Sequence, residues 1–194
     1  MEPVVWNGVG STEPQVGAGA LSSAAGARAG ATRRFWRDVL LGGAAIFAIH
    51  IFLVQISVVR GSSMSPSLRD GDRLMVDRVS YAMTDVARFD VVVLRYPRNP
   101  ELDFVKRVVG LPGDLTEIAN GLVRVNGQAV PEDFAHICDV HSRGVWRVPH
   151  DRFFVLGDNR PISCDSREFG MVERRLLKGK VRVCFWPLDH FTVF

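Results

Sequence analysis

The sequence predicts a mainly β fold, a coiled antiparallel or mixed β-sheet catalytic domain, preceded by one apolar helix near the N-terminus. Three observations carry that expectation. Short runs rich in Val, Ile and Phe recur after residue 60; two Asn-Gly dipeptides punctuate them at hairpin spacing; and the 21-residue stretch from Val39 to Val59 holds no formally charged side chain.

Residues 1–32 are rich in Gly, Ala and Ser, with few large apolar side chains after Trp6. Such a composition cannot bury enough surface to offset the entropy of ordering, so a disordered cytoplasmic tail is expected over 1–38. Arg33, Arg34 and Arg37 lead into the apolar run. As a helix, residues 39–59 would rise about 31 Å and cross a hydrocarbon core of about 30 Å, which predicts a transmembrane helix. A cleaved signal peptide is disfavoured: the run starts late, is long, and leads into Val59-Arg60-Gly61 without an Ala-x-Ala-like site. Three arginines on the near N-terminal flank against Arg60 alone on the other predict the N-terminus inside and residues 60–194 outside. His50 and Gln55 fall within the run and are expected to bond the backbone or snorkel.

Beyond Arg60, strands are expected over Phe89–Tyr96, Phe104–Val109, Leu122–Val125, Phe153–Leu156 and Val181–Trp186, which are β-branched and aromatic. Asn120-Gly121 and Asn126-Gly127 bracket Leu122–Val125 and predict type I′ turns, whose two central residues need positive φ. A β-meander follows.

The formal charge of +3 reflects 24 basic against 21 acidic side chains. They are interspersed, so no nucleic-acid partner is expected. Cys138, Cys164 and Cys184 lack the paired spacing of a zinc site, and neither a metal nor a cofactor is expected. One disulfide with a thiol left over, and three unpaired small apolar residues, both remain open.

Three segments carry the chemistry: Gly61-Ser-Ser-Met-Ser-Pro-Ser-Leu68, Asp103-Phe-Val-Lys-Arg-Val-Val-Gly-Leu-Pro-Gly-Asp114, and Gly157-Asp-Asn-Arg-Pro-Ile-Ser-Cys-Asp-Ser-Arg167. The first sets hydroxyls on a Gly/Ser/Pro loop just beyond the apolar run. In the second, strand alternation places Lys106 on the face of Phe104 and Val108 and Arg107 on the opposite one. Apolar surroundings disfavour an ammonium and leave a neutral amine able to take a proton from a serine; a guanidinium stays charged. The third is dense in residues that make turns and side-chain-to-backbone bonds.

In this order behind an apolar helix, these segments resemble the conserved boxes of bacterial type I signal peptidases, also called leader peptidases. The match spans most of residues 57–187. The resemblance implies an endopeptidase that removes signal peptides after small-x-small residues, with Ser63 as nucleophile and Lys106 as general base. It also implies Ser163 as the hydroxyl that orients the lysine, and Asp165 with Arg167 as structural support of the site. Implied partners are signal peptides of secreted preproteins, membrane lipid and the nearby secretion translocon; the implied location is the outer face of the cytoplasmic (plasma) membrane, single-pass. Where some relatives place an oxyanion-donating serine, two residues before the nucleophile, this chain has Gly61, so a second donor beside the Ser63 backbone N–H is expected from Ser62 or water.

Other readings fit less well. A Ser–His–Asp hydrolase built on His150 and Asp151 lacks a Gly-x-Ser-x-Gly elbow. A membrane-tethered peptide-binding β-domain without catalysis does not explain why both dyad residues are present, and a cytosolic self-cleaving repressor conflicts with the apolar run.

Overall fold

The computed structural model describes residues 33–47, 54–135 and 139–194. Two compact units divide at residues 48 and 49. In the first, a helix (α1) covers residues 33–47, so residues 33–38, expected to be disordered, are helical instead. Arg and Leu are strong helix formers, and the helix leaves Trp36, Leu40, Leu41, Ile46 and Phe47 exposed.

The second unit is mainly β, as the sequence predicts. Its larger sheet contains β1 (Val54–Val58), β2 (Arg73–Asp77), β3 (Val91–Tyr96), β4 (Asn99–Gly110), β9 (Arg152–Leu156), β10 (Val172–Glu173), β11 (Leu177–Trp186) and β12 (Thr192–Val193), in the order β1-β2-β11-β3-β4-β9-β10 with β12 paired to β11. Its smaller sheet runs β7 (Gln128–Ala129), β6 (Leu122–Val125), β5 (Leu115–Ala119), β8 (Gly144–Arg147). Every strand pair is antiparallel. Two four-residue helices, α2 (Ser80–Met83) and α3 (Ser166–Phe169), punctuate the larger sheet.

Local chemistry accounts for the meander. Asn120 and Gly121 have φ of 51° and 78°, Asn126 and Gly127 of 52° and 82°, the positive pair that a type I′ hairpin requires. These turns fix β5 against β6 with Ala119 opposite Leu122, and β6 against β7 with Val125 opposite Gln128. The strand expected from Phe89 begins at Val91 instead, because Phe89 sits at φ 71°, outside the extended region.

The expected transmembrane helix over 39–59 needs correction. Its last residues, Val54–Val58, form β1, paired antiparallel with β2 from Val54–Asp77 to Val58–Arg73. Val-Gln-Ile-Ser-Val alternates β-branched and polar side chains, a period-2 pattern, and β2 pairs with one edge of it. Gln55 therefore belongs to a strand; His50 lies outside the described residues. Among the described residues no helix is long and apolar enough to cross a membrane.

Two buried clusters hold the elements that build the site. Met64 and Leu68, on the loop after β1, are 1% and 0% exposed and pack with Leu74, Val76, Val91 and Val181. Val92, Leu94, Val108 and Phe153 pack on the other face, where Phe104 joins them. Fully burying a Met or Leu side chain stabilises by about 1.5–3 kcal/mol, so the two anchors hold the loop that carries Ser63 to the sheet.

Candidate active site

Ser63 lies on the loop between β1 and β2, immediately before the buried Met64. The base of this loop is closed by Val59 N–H to the Asp72 carbonyl (2.8 Å) and Gly71 N–H to the Val59 carbonyl (3.0 Å). Gly61, at φ 89°, gives the turn a conformation that L side chains adopt poorly, and its N–H donates to Asp70 Oδ1 at 2.7 Å.

Lys106 lies in the middle of β4, opposite Val92 on β3. It is 2% exposed, and its Nζ reaches Ser63 Oγ at 2.7 Å and the Val105 carbonyl at 3.0 Å. The Phe104 ring centroid is 5.1 Å from the same nitrogen. Burial lowers the lysine to about 8 from an ordinary 10.5, opposed by the negative charges of Asp165 and Asp158. The amine can thus be neutral near neutral pH while hydrogen-bonded to a serine hydroxyl, the requirement for deprotonating it.

The segment after β9 fastens this pair. Asn159 N–H donates to the Ser63 carbonyl at 3.0 Å, and Asn159 Nδ2 to the Ser62 carbonyl at 3.3 Å. A Cβ on Gly157 would collide with Ser163 Oγ and the Ser63 carbonyl oxygen, so only glycine permits this approach. Asp158, fully buried, accepts two bonds from Arg107, Nε at 2.9 Å and Nη2 at 2.7 Å. Arg107 also donates to the Phe89 carbonyl at 3.1 Å and lies 4.1 Å from the Phe134 ring centroid. Arg160 donates to the Gly157 carbonyl at 2.9 Å and to Glu132 at 2.5 Å.

Asp165 and Arg167 form a two-pronged pair, 2.8 and 2.7 Å, with Asp165 fully buried. Asp165 also accepts from Gly157 N–H at 3.1 Å, tying the pair to the loop that touches Ser63. Arg167 adds Asp139 at 2.7 Å and the Arg160 carbonyl at 2.6 Å. The buried Ser163 Oγ has no hydrogen-bond partner among the described residues and faces Gly157, and the lysine's second bond goes to the Val105 carbonyl.

A groove of about 530 Å³ runs over the dyad, walled by Gln55–Met64 on one side and Asp103–Lys106 on the other, with Val93, Ile162 and Cys164 between. β1 is the terminal strand of its sheet, and β4 meets β9 only from Arg107 onward. Both walls thus include strand backbone with one edge unpaired among the described residues.

Comparison with known proteins agrees with this geometry. Residues 32–186 match the family described as signal peptidase, peptidase S26. The chain belongs to that family. It is 38% identical over 154 residues to the probable signal peptidase I-2 of Synechocystis, covering 76% of this chain and 71% of the relative. It is 37% identical over 161 residues to signal peptidase I of Bacillus caldolyticus, covering 76% and 87%. A crystal structure of a signal peptidase I from Enterococcus faecalis V583 aligns with 50% of this chain and 97% of its own at 31% identity, with a TM-score of 0.45. The chain is thus a serine endopeptidase of the signal peptidase I class. The resemblance read from the three motif segments holds. Sequence reasoning gave no role to Arg107–Asp158, to Asn159, or to Gly157. The signal available was position: a Gly-Asp-Asn run directly after a strand, with a charge next to the candidate base.

Proposed function

We propose that Ser63 attacks the scissile carbonyl of a signal peptide while neutral Lys106 takes its proton. Lys106 then returns that proton to the leaving amine, and the resulting acyl-enzyme is opened by a water that Lys106 deprotonates. The observation that carries this reading is the 2.7 Å contact between Ser63 Oγ and a lysine that is 2% exposed. Asp165 and Arg167 position the loop holding Gly157 against Ser63; Ser163 packs beside that loop and, on the resemblance, turns its hydroxyl to the lysine during turnover. The oxyanion is received by the Ser63 backbone N–H, since the Gly61 N–H is committed to Asp70.

The substrate lies extended in the groove, adding main-chain bonds to the open edges of β1 and β4, and small side chains fit beside the Ser63 oxygen. The apolar run beginning at Val39 holds the chain at the cytoplasmic membrane, N-terminal side inside and β-rich unit outside, near the translocon. The exposed Leu40, Leu41, Ile46 and Phe47 of α1 support this reading. The β-rich domain is then residues 60–194 together with β1.

The test is cleavage of a preprotein with an Ala-x-Ala site by the full chain in detergent, beside Ser63→Ala and Lys106→Ala. Processing by the parent and by neither variant is expected. A Lys106→Ala enzyme with parental turnover would refute the dyad. Persistence in the membrane fraction after removal of residues 1–53 would refute the anchor.

A further inference from the structure

We propose that Asp72, Cys184 and His190 form a binding site for a single thiophilic divalent cation, zinc or cobalt, distinct from the Ser63–Lys106 dyad. Asp72 is distant in sequence from Cys184 and His190, which lie six residues apart. Asp72 closes the nucleophile loop, Cys184 sits on β11 opposite Leu74, and His190 ends a single 3₁₀ turn, Leu188–His190, that leads into β12. Their ligand atoms all lie within 4.8 Å of one another. Asp72 joins the other two only because β11 lies against β2.

The donor set suits the ion. A thiolate, an imidazole and a carboxylate are the three ligand types of tetrahedral zinc sites, and cobalt(II) accepts the same set. Ordinary bond lengths about such a centre put its donor atoms about 3.3–3.6 Å apart. His190 Nδ1 and Asp72 Oδ2 are 2.8 Å apart, so the cluster needs adjustments only on the order of 1 Å. The His190 side chain is 13% exposed, and a water would complete the fourth position.

Charge points the same way. Asp72 is 1% exposed. Asp158 and Asp165, equally buried, each face a guanidinium, whereas among the described residues the partners of the Asp72 carboxylate are His190, the Arg69 N–H at 2.8 Å and the Cys184 thiol. A buried carboxylate without a fixed cation is costly, and a divalent ion supplies that charge. Binding forms the sulfur–metal bond as the thiol proton leaves to solvent, so uptake weakens as pH falls. Because the Asp72 carbonyl and carboxylate close the nucleophile loop onto Val59 and Arg69, the ion ties that loop to the C-terminal segment.

The experiment titrates cobalt(II) into the full chain in detergent, reduced and anaerobic, in a Cys138→Ser/Cys164→Ser background so that Cys184 is the only thiol. Expected are one ion per chain, a thiolate-to-cobalt charge-transfer band, tetrahedral ligand-field bands, and a higher melting temperature. Cys184→Ser should abolish the charge-transfer band. His190→Ala should weaken binding at least tenfold, since even outer-shell changes cost 10–100-fold. Absence of stoichiometric uptake, or a charge-transfer band that survives Cys184→Ser, overturns the proposal. Should Cys184→Ser misfold, undiminished affinity in His190→Ala does the same.

Discussion

Lowering the pH below the Lys106 titration should switch the enzyme off in a way its burial makes calculable. With the amine at about 8 instead of 10.5, the neutral fraction at pH 7 is about one in ten, against about one in three thousand for an exposed lysine. Burial thus raises the population of competent base roughly 300-fold at pH 7, a differential of about 3 kcal/mol against the charged form. The sign is fixed by chemistry: the base works unprotonated, so activity grows as pH rises. The assay is kcat/KM for an internally quenched peptide lacking groups that titrate in the window, since that ratio reports the free enzyme. It should climb about tenfold per unit below the inflection and flatten above about 8. Lys106→Arg, which cannot lose its charge, should show no rising limb. A flat profile between pH 6 and 9, or an inflection near 10.5, would refute the claim that the apolar surroundings set the base.

Three further outcomes follow from the same contacts. Lys106→Met should be inactive yet more stable at pH 7, by up to about 3 kcal/mol less the lost hydrogen bonds; the unfolded state binds more protons between about 8 and 10.5, so the gain should shrink over that window in urea unfolding. Asp158→Asn leaves Arg107 buried without its counter-charge, and removing one partner of a buried pair costs about 3–5 kcal/mol, read as a lower urea midpoint. Gly157→Ala forces its Cβ into Ser163 and the Ser63 carbonyl, and a misplacement on the order of 1 Å costs about 100-fold; kcat should fall that far with KM changed much less.

What the sequence determined by itself is local. Alternation around Phe104, Lys106 and Val108, the positive φ demanded by Asn120-Gly121 and Asn126-Gly127, and the residue types of the three motif segments depend on near neighbours, and each is found in the fold. Tertiary structure decided whatever depends on a distant partner. Val54–Val58 continues an apolar run and so reads as the end of a membrane helix despite its own alternation, and the edge offered by Arg73–Asp77 decides it as a strand. Likewise Asn159 gains its task only because β9 ends beside the Ser63 loop, and Asp72, Cys184 and His190 meet only because β11 lies against β2. Hydrogen bonds and buried charges act over a few ångströms of space, and sequence distance does not encode that proximity.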